Sequence, residues 1–246
     1  MKTSKWFLEK PIAHRGFHWI GGIDENSYEA FEEGISRGFP LELDVHLSRD
    51  GVPFVHHDLS LERMTGHDVR ATSLVATDLK KMKLPHSKKG VPLLKDILEL
   101  VNGRVPLVIE LKRTRDDSHL ELAVESILTN YKGEYSIQSF HPKSLLFFRD
   151  SRLKPTTGLL SGRIHGSLKE EDLRYSIRLM LGSLCLVPFL KPDYIGYEWQ
   201  GLNDGAPQRM REKYQIPLIG WTVKNNSSQD FCSRFGDNII FENLTL

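Results

Sequence analysis

Two acidic residues two positions apart, Glu42 and Asp44, interrupt the apolar run Leu41-Glu42-Leu43-Asp44-Val45. In an extended strand, residues i and i+2 project from the same face, so both carboxylates point one way. A second run, Ile109-Glu110-Leu111-Lys112, puts Glu110 and Lys112 on one face of another strand. If those faces line the interior of a barrel, the acids repel one another and are costly to desolvate, a cost that a cation offsets. Hard anionic oxygen ligands suit Mg2+ or Ca2+ rather than a metal held by thiolates. Taken alone, the Glu42 and Asp44 pair fits equally well a strand end whose acids face solvent or pair with basic residues.

The run before these ends in Ala13-His14-Arg15-Gly16, placing an imidazole and a guanidinium at a strand's C-terminal end, where barrel enzymes keep their chemistry. Arg49-Asp50-Gly51 stands between two apolar runs and is a hairpin signal, so Val52 to His56 is expected to return antiparallel to the strand before it. That return brings His56 and His57 level with Asp44. Imidazoles flanking a metal can serve as general base and acid, because they titrate near neutral pH. Arg15 and Lys112 are suited to clamp phosphate oxygens, one by its fork and one as a point charge. Residue type alone leaves His56 a rival to His57. His18, His46, His67, His86, His119, His141 and His165 are read as structural. Gln138 and Trp221 lie near other strand ends and, if buried, need a polar partner such as a ligand hydroxyl; core packing serves Trp221 equally well.

Positioning these residues requires a repeating scaffold. Short β-rich runs recur at Pro11 to His14, Leu41 to Val45, Leu107 to Leu111, Ser136 to Ser139, Thr156 to Leu160, Tyr194 to Tyr197, Leu218 to Val223 and Asn238 to Phe241. Helical stretches are expected over Ser27 to Arg37, Leu94 to Val101, His119 to Thr129, Pro142 to Asp150, Asp172 to Leu181, Gly205 to Lys213 and Ser227 to Arg234. Most follow Ser, Asp or Asn, or carry proline in the first turn. This alternation over 246 residues predicts an α/β fold, a single TIM (β/α)8 barrel domain spanning 1–246. The segment from Leu47 to about Val91 has no clear periodicity after Asp58 and reads as a small insertion, a β-hairpin plus loop, after the second strand.

The formal net charge of +1, from 33 basic and 32 acidic residues, gives no global field that would draw the chain to nucleic acid or to an anionic membrane, and leaves any anion site local. Cys185 and Cys232, without CxxC spacing, are read as buried thiols. Met1 to Lys10 is polar and lacks a signal-peptide pattern, so the expected location is cytoplasmic. The longest apolar stretch, Leu179 to Leu190, is interrupted by Gly182 and Pro188 and is shorter than the roughly 20 residues of a membrane span. It reads as the end of a core helix, with contact to lipid or a partner as the lesser alternative.

Taken in order, His14-Arg15-Gly16, Glu25-Asn26, Glu42-x-Asp44, His57-Asp58, Glu110-x-Lys112, Gln138-Ser139-Phe140 and Trp221-Thr222-Val223 resemble the glycerophosphodiester phosphodiesterase family. Val91-Pro92-Leu93-Leu94-Lys95-Asp96-Ile97-Leu98 looks like that family's opening of the second helix. The resemblance implies a TIM barrel with a small insertion after the second strand. It implies His14 and His57 as the catalytic pair, and Glu42, Asp44 and Glu110 as ligands of one divalent cation, Ca2+ or Mg2+. Arg15 and Lys112 would bind phosphate, Glu25 would lie near the substrate or orient a histidine, and Gln138 and Trp221 would line the pocket. Two departures stand out: Asp24 and Ser27 flank Glu25-Asn26 where the family usually has Pro and Thr, and Ile240-Phe241-Glu242-Asn243 replaces a closing Ile-Thr-Asp run.

The implied activity is metal-dependent hydrolysis of a small glycerophosphodiester to sn-glycerol 3-phosphate and an alcohol. A lysophospholipase D acting on lysolipids would share every motif and differ by an apolar trough. A metal-independent phosphatidylinositol phospholipase would leave three acids without purpose, and a non-catalytic binding barrel would be expected to have lost a histidine or an acid.

Overall fold

The computed structural model describes residues 5–169 and 173–244; residues 1–4, in the N-terminal stretch discussed above, and Asp172, the expected start of a helix, lie outside the described residues. The strands are β1 (Ile12–Ala13), β2 (Leu41–Leu47), β3 (Pro53–Val55), β4 (Leu107–Leu111), β5 (Tyr135–Ser139), β6 (Thr156–Ser161), β7 (Tyr194–Glu198), β8 (Leu218–Val223) and β9 (Asn238–Phe241). The helices are α1 (Tyr28–Arg37), α2 (Glu62–Thr65), α3 (Ala76–Leu79), α4 (Leu94–Val101), α5 (His119–Leu128), α6 (Pro142–Asp150), α7 (Tyr175–Ser183), α8 (Val187–Leu190), α9 (Gly205–Tyr214) and α10 (Asn226–Phe235). The strands form one sheet in the order β1-β9-β8-β7-β6-β5-β4-β2-β3, with β1 also paired to β2. That is the topology of a (β/α)8 barrel carrying one extra strand.

The chain divides into two compact units, Ala13–Tyr135, and Met1–Ile12 with Ser136–Leu246. In the first, β2 and β4 run parallel with Asp44 opposite Glu110. Every residue of β4 is buried and only Leu47 of β2 is not, as in a sheet covered on both faces. Leu41, Leu43 and Val45 occupy one face; the alternate positions hold Glu42, Asp44 and His46. Helix α1 starts where Ser27 Oγ accepts the Ala30 N–H at 3.1 Å, and ends at Gly38 in the left-handed region (φ 71°). In the second unit β5 to β9 run parallel throughout, and α10 opens with a capping box between Asn225 and Ser228.

Strand β3 pairs antiparallel with β2, Val45 opposite Val55, as the Asp-Gly turn requires. Gly51 sits at φ 80°, and Ser48 Oγ donates to Asp50 Oδ1 at 2.6 Å across the turn. Beyond Asp58 the chain is more ordered than a loop. Helices α2 and α3 and the segment up to Val91 enclose a small core of Phe54, Leu61, Met64, Ala71, Leu79, Leu84 and Val91. The apolar positions come from short turns at irregular intervals, so no helical or strand period marks them in the sequence.

Two other expectations are corrected. Cys185 is exposed rather than buried, because it sits in the turn between α7 and α8 after Leu184 (φ 56°) ends the helix. Leu179 to Leu190 is not a core helix end throughout: Leu181, Leu184, Val187 and Leu190 are buried, but Leu179 and Phe189 face outward.

Side chains from this excursion tie it to the loop between β1 and α1. Arg63 on α2 donates to both Glu25 oxygens at 2.7 and 2.9 Å and to Asp58 Oδ2 at 2.6 Å. Asp24 accepts the His86 N–H at 2.7 Å, and Glu29 accepts from Ser87 Oγ at 2.7 Å. Burial alone would raise the Glu25 carboxyl, but hydrogen bonds from Arg63 and the charges of Arg15 and Arg63 outweigh it and hold the group at about 2, below its ordinary 4.5. A carboxyl depressed in the folded state contributes stability above its unfolded pKa and loses it as pH falls through the folded value. Glu25→Gln should therefore cost roughly 2 kcal/mol near neutral pH, allowing for the half-exposed Arg63. That difference should shrink between about pH 4.5 and pH 2, as followed by urea unfolding across that range; a pH-independent difference would count against the ion pair.

Candidate active site

The acids predicted to share a face do come together. Glu42, Asp44 and Glu110 are buried, and each offers a carboxylate oxygen within 4.8 Å of the others. The cause is local: i and i+2 on β2 point inward together, and the parallel register sets Glu110 beside Asp44. Glu42 Oε2 accepts the Arg15 backbone N–H at 2.9 Å, and Asp44 Oδ2 accepts from Asn26 Nδ2 at 2.9 Å. Lys112 Nζ lies 2.6 Å from Glu110 Oε1 and 3.4 Å from Asp44 Oδ1. Among the described residues, Glu42 Oε1 and Asp44 Oδ1 are buried with no hydrogen-bond donor.

Their charges are held unequally. Burial raises the Glu42 carboxyl well above the usual range, and the neighbouring Asp44 and Glu110 push it further. Burial also opposes ionisation of Asp44, but the charges of Lys112, His57, Arg15 and His14 overcome it and hold Asp44 well below the usual range. One buried acid is thus short of positive charge while its neighbour is well supplied. A cation with oxygen ligands at roughly 2.1 to 2.5 Å keeps those oxygens about 3 to 5 Å apart. Three hard carboxylates at this spacing, with buried oxygens lacking donors, fit a divalent ion of the Mg2+ or Ca2+ type.

The β1–α1 loop supplies the next ring of groups. His14 Nε2 is 4.0 Å from Glu42 Oε2. Arg15 adopts a left-handed backbone (φ 53°), which turns its N–H onto Glu42 while its carbonyl accepts the Asn26 N–H at 2.8 Å. Gly16 follows at φ 78° against α1, and a Cβ there would lie 2.8 Å from Ala30 Cβ, so the turn has no room for a side chain. The Arg15 guanidinium donates to Glu25 Oε1 at 2.8 Å, and its Nε stands 3.4 Å from Asp44 Oδ2. Burial works against this guanidinium, but Asp44, Glu25 and Glu42 raise its pKa overall.

The two rival histidines separate by environment. His56 is buried, donates its backbone N–H to the Asp44 carbonyl at 3.0 Å, and has its ring Nε2 3.3 Å from the Ser60 carbonyl. His57 is partly exposed, and its Nδ1 lies 2.7 Å from Asp58 Oδ1. An Nδ1–H donating to that carboxylate leaves Nε2 available. Burial opposes ionisation of Asp58, yet hydrogen bonds from His57 and Arg63 take it well below the usual carboxylate range. His46, read as structural, packs over Phe54 with its Nε2 3.0 Å from the His57 carbonyl; burial lowers it to about 4, so its ring is neutral.

Gln138 and Trp221 belong to the other unit. Gln138 is buried near the end of β5, and its Oε1 accepts from Tyr194 OH at 3.2 Å, so it has a protein partner. Trp221 packs edge-on to Phe140 at 5.6 Å, and its Nε1 has no hydrogen-bond partner among the described residues. Asn26, Asp58 and Arg63 were not singled out from sequence. The first two sit inside the Glu25-Asn26 and His57-Asp58 motifs, a signal that could have found them. Arg63 carries none, since only folding of the excursion brings it to Glu25 and Asp58.

Comparison with known proteins gives the fold and the family. A glycerophosphodiester phosphodiesterase of Bacillus altitudinis is 32% identical over 153 residues, covering 57% of this chain and 62% of that protein. A lysophospholipase D of Rattus norvegicus is 30% identical over 142 residues, covering 52% of this chain and 44% of that protein. These matches thus span less than two thirds of either relative. Among solved structures, an Oleispira antarctica phosphodiesterase in complex with the product sn-glycerol-3-phosphate superposes with a TM-score of 0.79 at 19% identity, covering 96% of this chain and 93% of that one. A glycerophosphodiester phosphodiesterase from Thermotoga maritima gives 0.71 at 24% identity, covering 95% and 94%. At such identities the structures speak for the fold alone. The family model for glycerophosphoryl diester phosphodiesterases matches residues 14–243, from His14 to just past β9, and the chain belongs to that family.

Proposed function

We propose that the chain acts as a single catalytic domain that hydrolyses glycerophosphodiesters to sn-glycerol 3-phosphate and an alcohol, with a divalent cation held by Glu42, Asp44 and Glu110. The observation that carries this reading is the buried triad itself, whose oxygens lie within 4.8 Å of one another and include Glu42 Oε1 without a donor. Stability alone gives no reason to gather three acids in a protein interior. When bound, the cation would neutralise phosphate charge and lower the pKa of an attacking hydroxyl.

The chain's own residues supply the remaining steps. Arg15 and Lys112 flank Asp44 at 3.4 Å on opposite oxygens and present two positive charges to the phosphate. One histidine of the His14 and His57 pair accepts the proton of the nucleophile as the new P–O bond forms; that nucleophile is water, or the substrate's neighbouring glycerol hydroxyl, whose cyclic phosphate water then opens. The other donates a proton to the leaving alcohol oxygen as the old P–O bond breaks. For His57 the transferring atom is Nε2, because Nδ1 is engaged by Asp58. Arg63 holds Asp58 from the other side and so helps to fix the imidazole plane. Glu25 positions the Arg15 guanidinium. Gln138 and Trp221 are assigned to the substrate pocket by family likeness, and the indole N–H of Trp221, which has no hydrogen-bond partner among the described residues, is a donor suited to a ligand.

The deciding experiment is a coupled assay for sn-glycerol 3-phosphate release from glycerophosphocholine, with and without EDTA, and with lysophosphatidylcholine as competitor. Metal-dependent release is expected; no release from any glycerophosphodiester would refute the reading, and preferential turnover of the lysolipid would favour a lysophospholipase D. His14→Ala and His57→Ala should each lower kcat by about 10²-fold or more, the usual loss for a general acid or base. Wild-type rates in either purified variant would remove that residue from the mechanism.

Glu42→Gln should abolish activity yet raise the melting temperature of metal-free protein. A neutral amide bears none of the cost of ionising Glu42 beside Asp44 and Glu110, and its oxygen can still accept the Arg15 N–H. A gain of about 1 kcal/mol would appear as roughly 2 to 4 °C in a chain of this size. Adding Mg2+ or Ca2+ should raise the wild-type melting temperature and leave the variant nearly unchanged. An equal metal-induced rise in both proteins would count against Glu42 as a ligand.

A further inference from the structure

The α7–α8 segment carries apolar surface that the proposed reaction does not use. Of the residues in α7 only Leu181 is buried. Tyr175 (58% exposed) and Leu179 (41%) stand one turn apart on the same side, and Phe189 on α8 is 61% exposed. The segment is nevertheless docked. Leu181, Leu184, Val187 and Leu190 are buried, and Ser161 Oγ donates to the Leu181 carbonyl at 2.8 Å. One set of apolar side chains holds the segment to its unit while another points outward.

Cations frame the outward set. The Arg178 guanidinium lies 5.6 Å from the Tyr175 ring centre, and the Arg149 guanidinium 5.6 Å from that of Phe189 while donating to its carbonyl at 3.3 Å. Arg174 and Lys191 are exposed at the two ends of the segment. Of the described acids near the segment, Asp150 is paired with Arg149 and the exposed Asp193 accepts the Thr157 N–H at 2.7 Å; Glu170, Glu171 and Asp172, which precede α7 in sequence, lie outside the described residues. Short helical elements with outward aromatic and aliphatic side chains among Arg and Lys match the chemistry of an anionic lipid interface. A two-fold contact with a second copy would bring two such cation-bearing patches together, like charge facing like.

We propose that the α7–α8 face docks on an anionic lipid surface, with Tyr175, Leu179 and Phe189 entering the boundary between headgroups and acyl chains and Arg149, Arg174, Arg178 and Lys191 meeting lipid phosphates. This goes beyond the phosphodiesterase reading, and its test reads binding rather than turnover, so either can fail without the other.

The experiment is co-sedimentation of the full chain with phosphatidylcholine vesicles, with and without about one-third phosphatidylglycerol. Binding to the anionic vesicles is expected, weakened in about 0.5 M NaCl. The triple variant Tyr175→Ser, Leu179→Ser, Phe189→Ser should bind at least roughly tenfold more weakly while keeping its circular dichroism and glycerophosphodiester turnover. If that variant does not fold, the charge reversal Arg174→Glu with Lys191→Glu, both at exposed positions, should give the same loss. No binding to anionic vesicles, or binding that the variants leave unchanged, overturns the proposal. A concentration-dependent dimer abolished by the triple substitution also overturns it, by giving the face to a second copy.

Discussion

Everything in the first unit is arranged around the repulsion between three carboxylates that a parallel register forces into one small volume. Glu42 and Asp44 share a face because strands alternate, and Glu110 joins them because β4 lies in register with β2. In a low-dielectric interior, like charges within 5 Å cannot all be ionised without compensation. Lys112, Arg15, the amide of Asn26 and the N–H of Arg15 supply part of that compensation, nearly all of it at Asp44 and Glu110. Glu42 is left with a raised pKa and an oxygen without a donor. The site is therefore built with a deficit of positive charge.

That deficit explains why so much surrounding structure serves orientation. Arg15 must use both its backbone N–H and its guanidinium on acids, and it does so by accepting a left-handed backbone backed by Gly16 against α1. The excursion after β2 brings a second guanidinium, Arg63, which grips Glu25 on one side and Asp58 on the other. Through Asp58 the grip reaches His57, and through Glu25 it reaches Arg15. A small separate core holds this excursion in shape. An apparently irregular insertion thus becomes a rigid support for groups on both sides of the triad.

In the second unit the outward side chains of α7 and α8 follow a different logic. Their inner neighbours satisfy the packing requirement, so the exposed aromatic and aliphatic groups are surplus to folding, and guanidinium groups stand over two of them. No helix among the described residues is long and apolar enough to cross a membrane.

Much of this was legible in the amino-acid order, because it depends on periods of two or four residues. Alternation placed Glu42 with Asp44 and Glu110 with Lys112, the Asp-Gly turn predicted the antiparallel β3, and the strands at Leu107–Leu111, Leu218–Val223 and Asn238–Phe241 have the expected bounds. Folding in three dimensions decided what depends on contacts between distant positions. It gave His57 and His56 different surroundings, turning one ring to Asp58 and burying the other against Ser60, and it recruited Arg63 to Glu25 across 38 positions. It assembled a core from non-periodic residues between Phe54 and Val91, and it left Cys185 and Phe189 outside where composition alone placed them inside. Side-chain direction along a strand is a local steric property that sequence encodes directly, whereas burial and pairing depend on which distant segments fold against a residue.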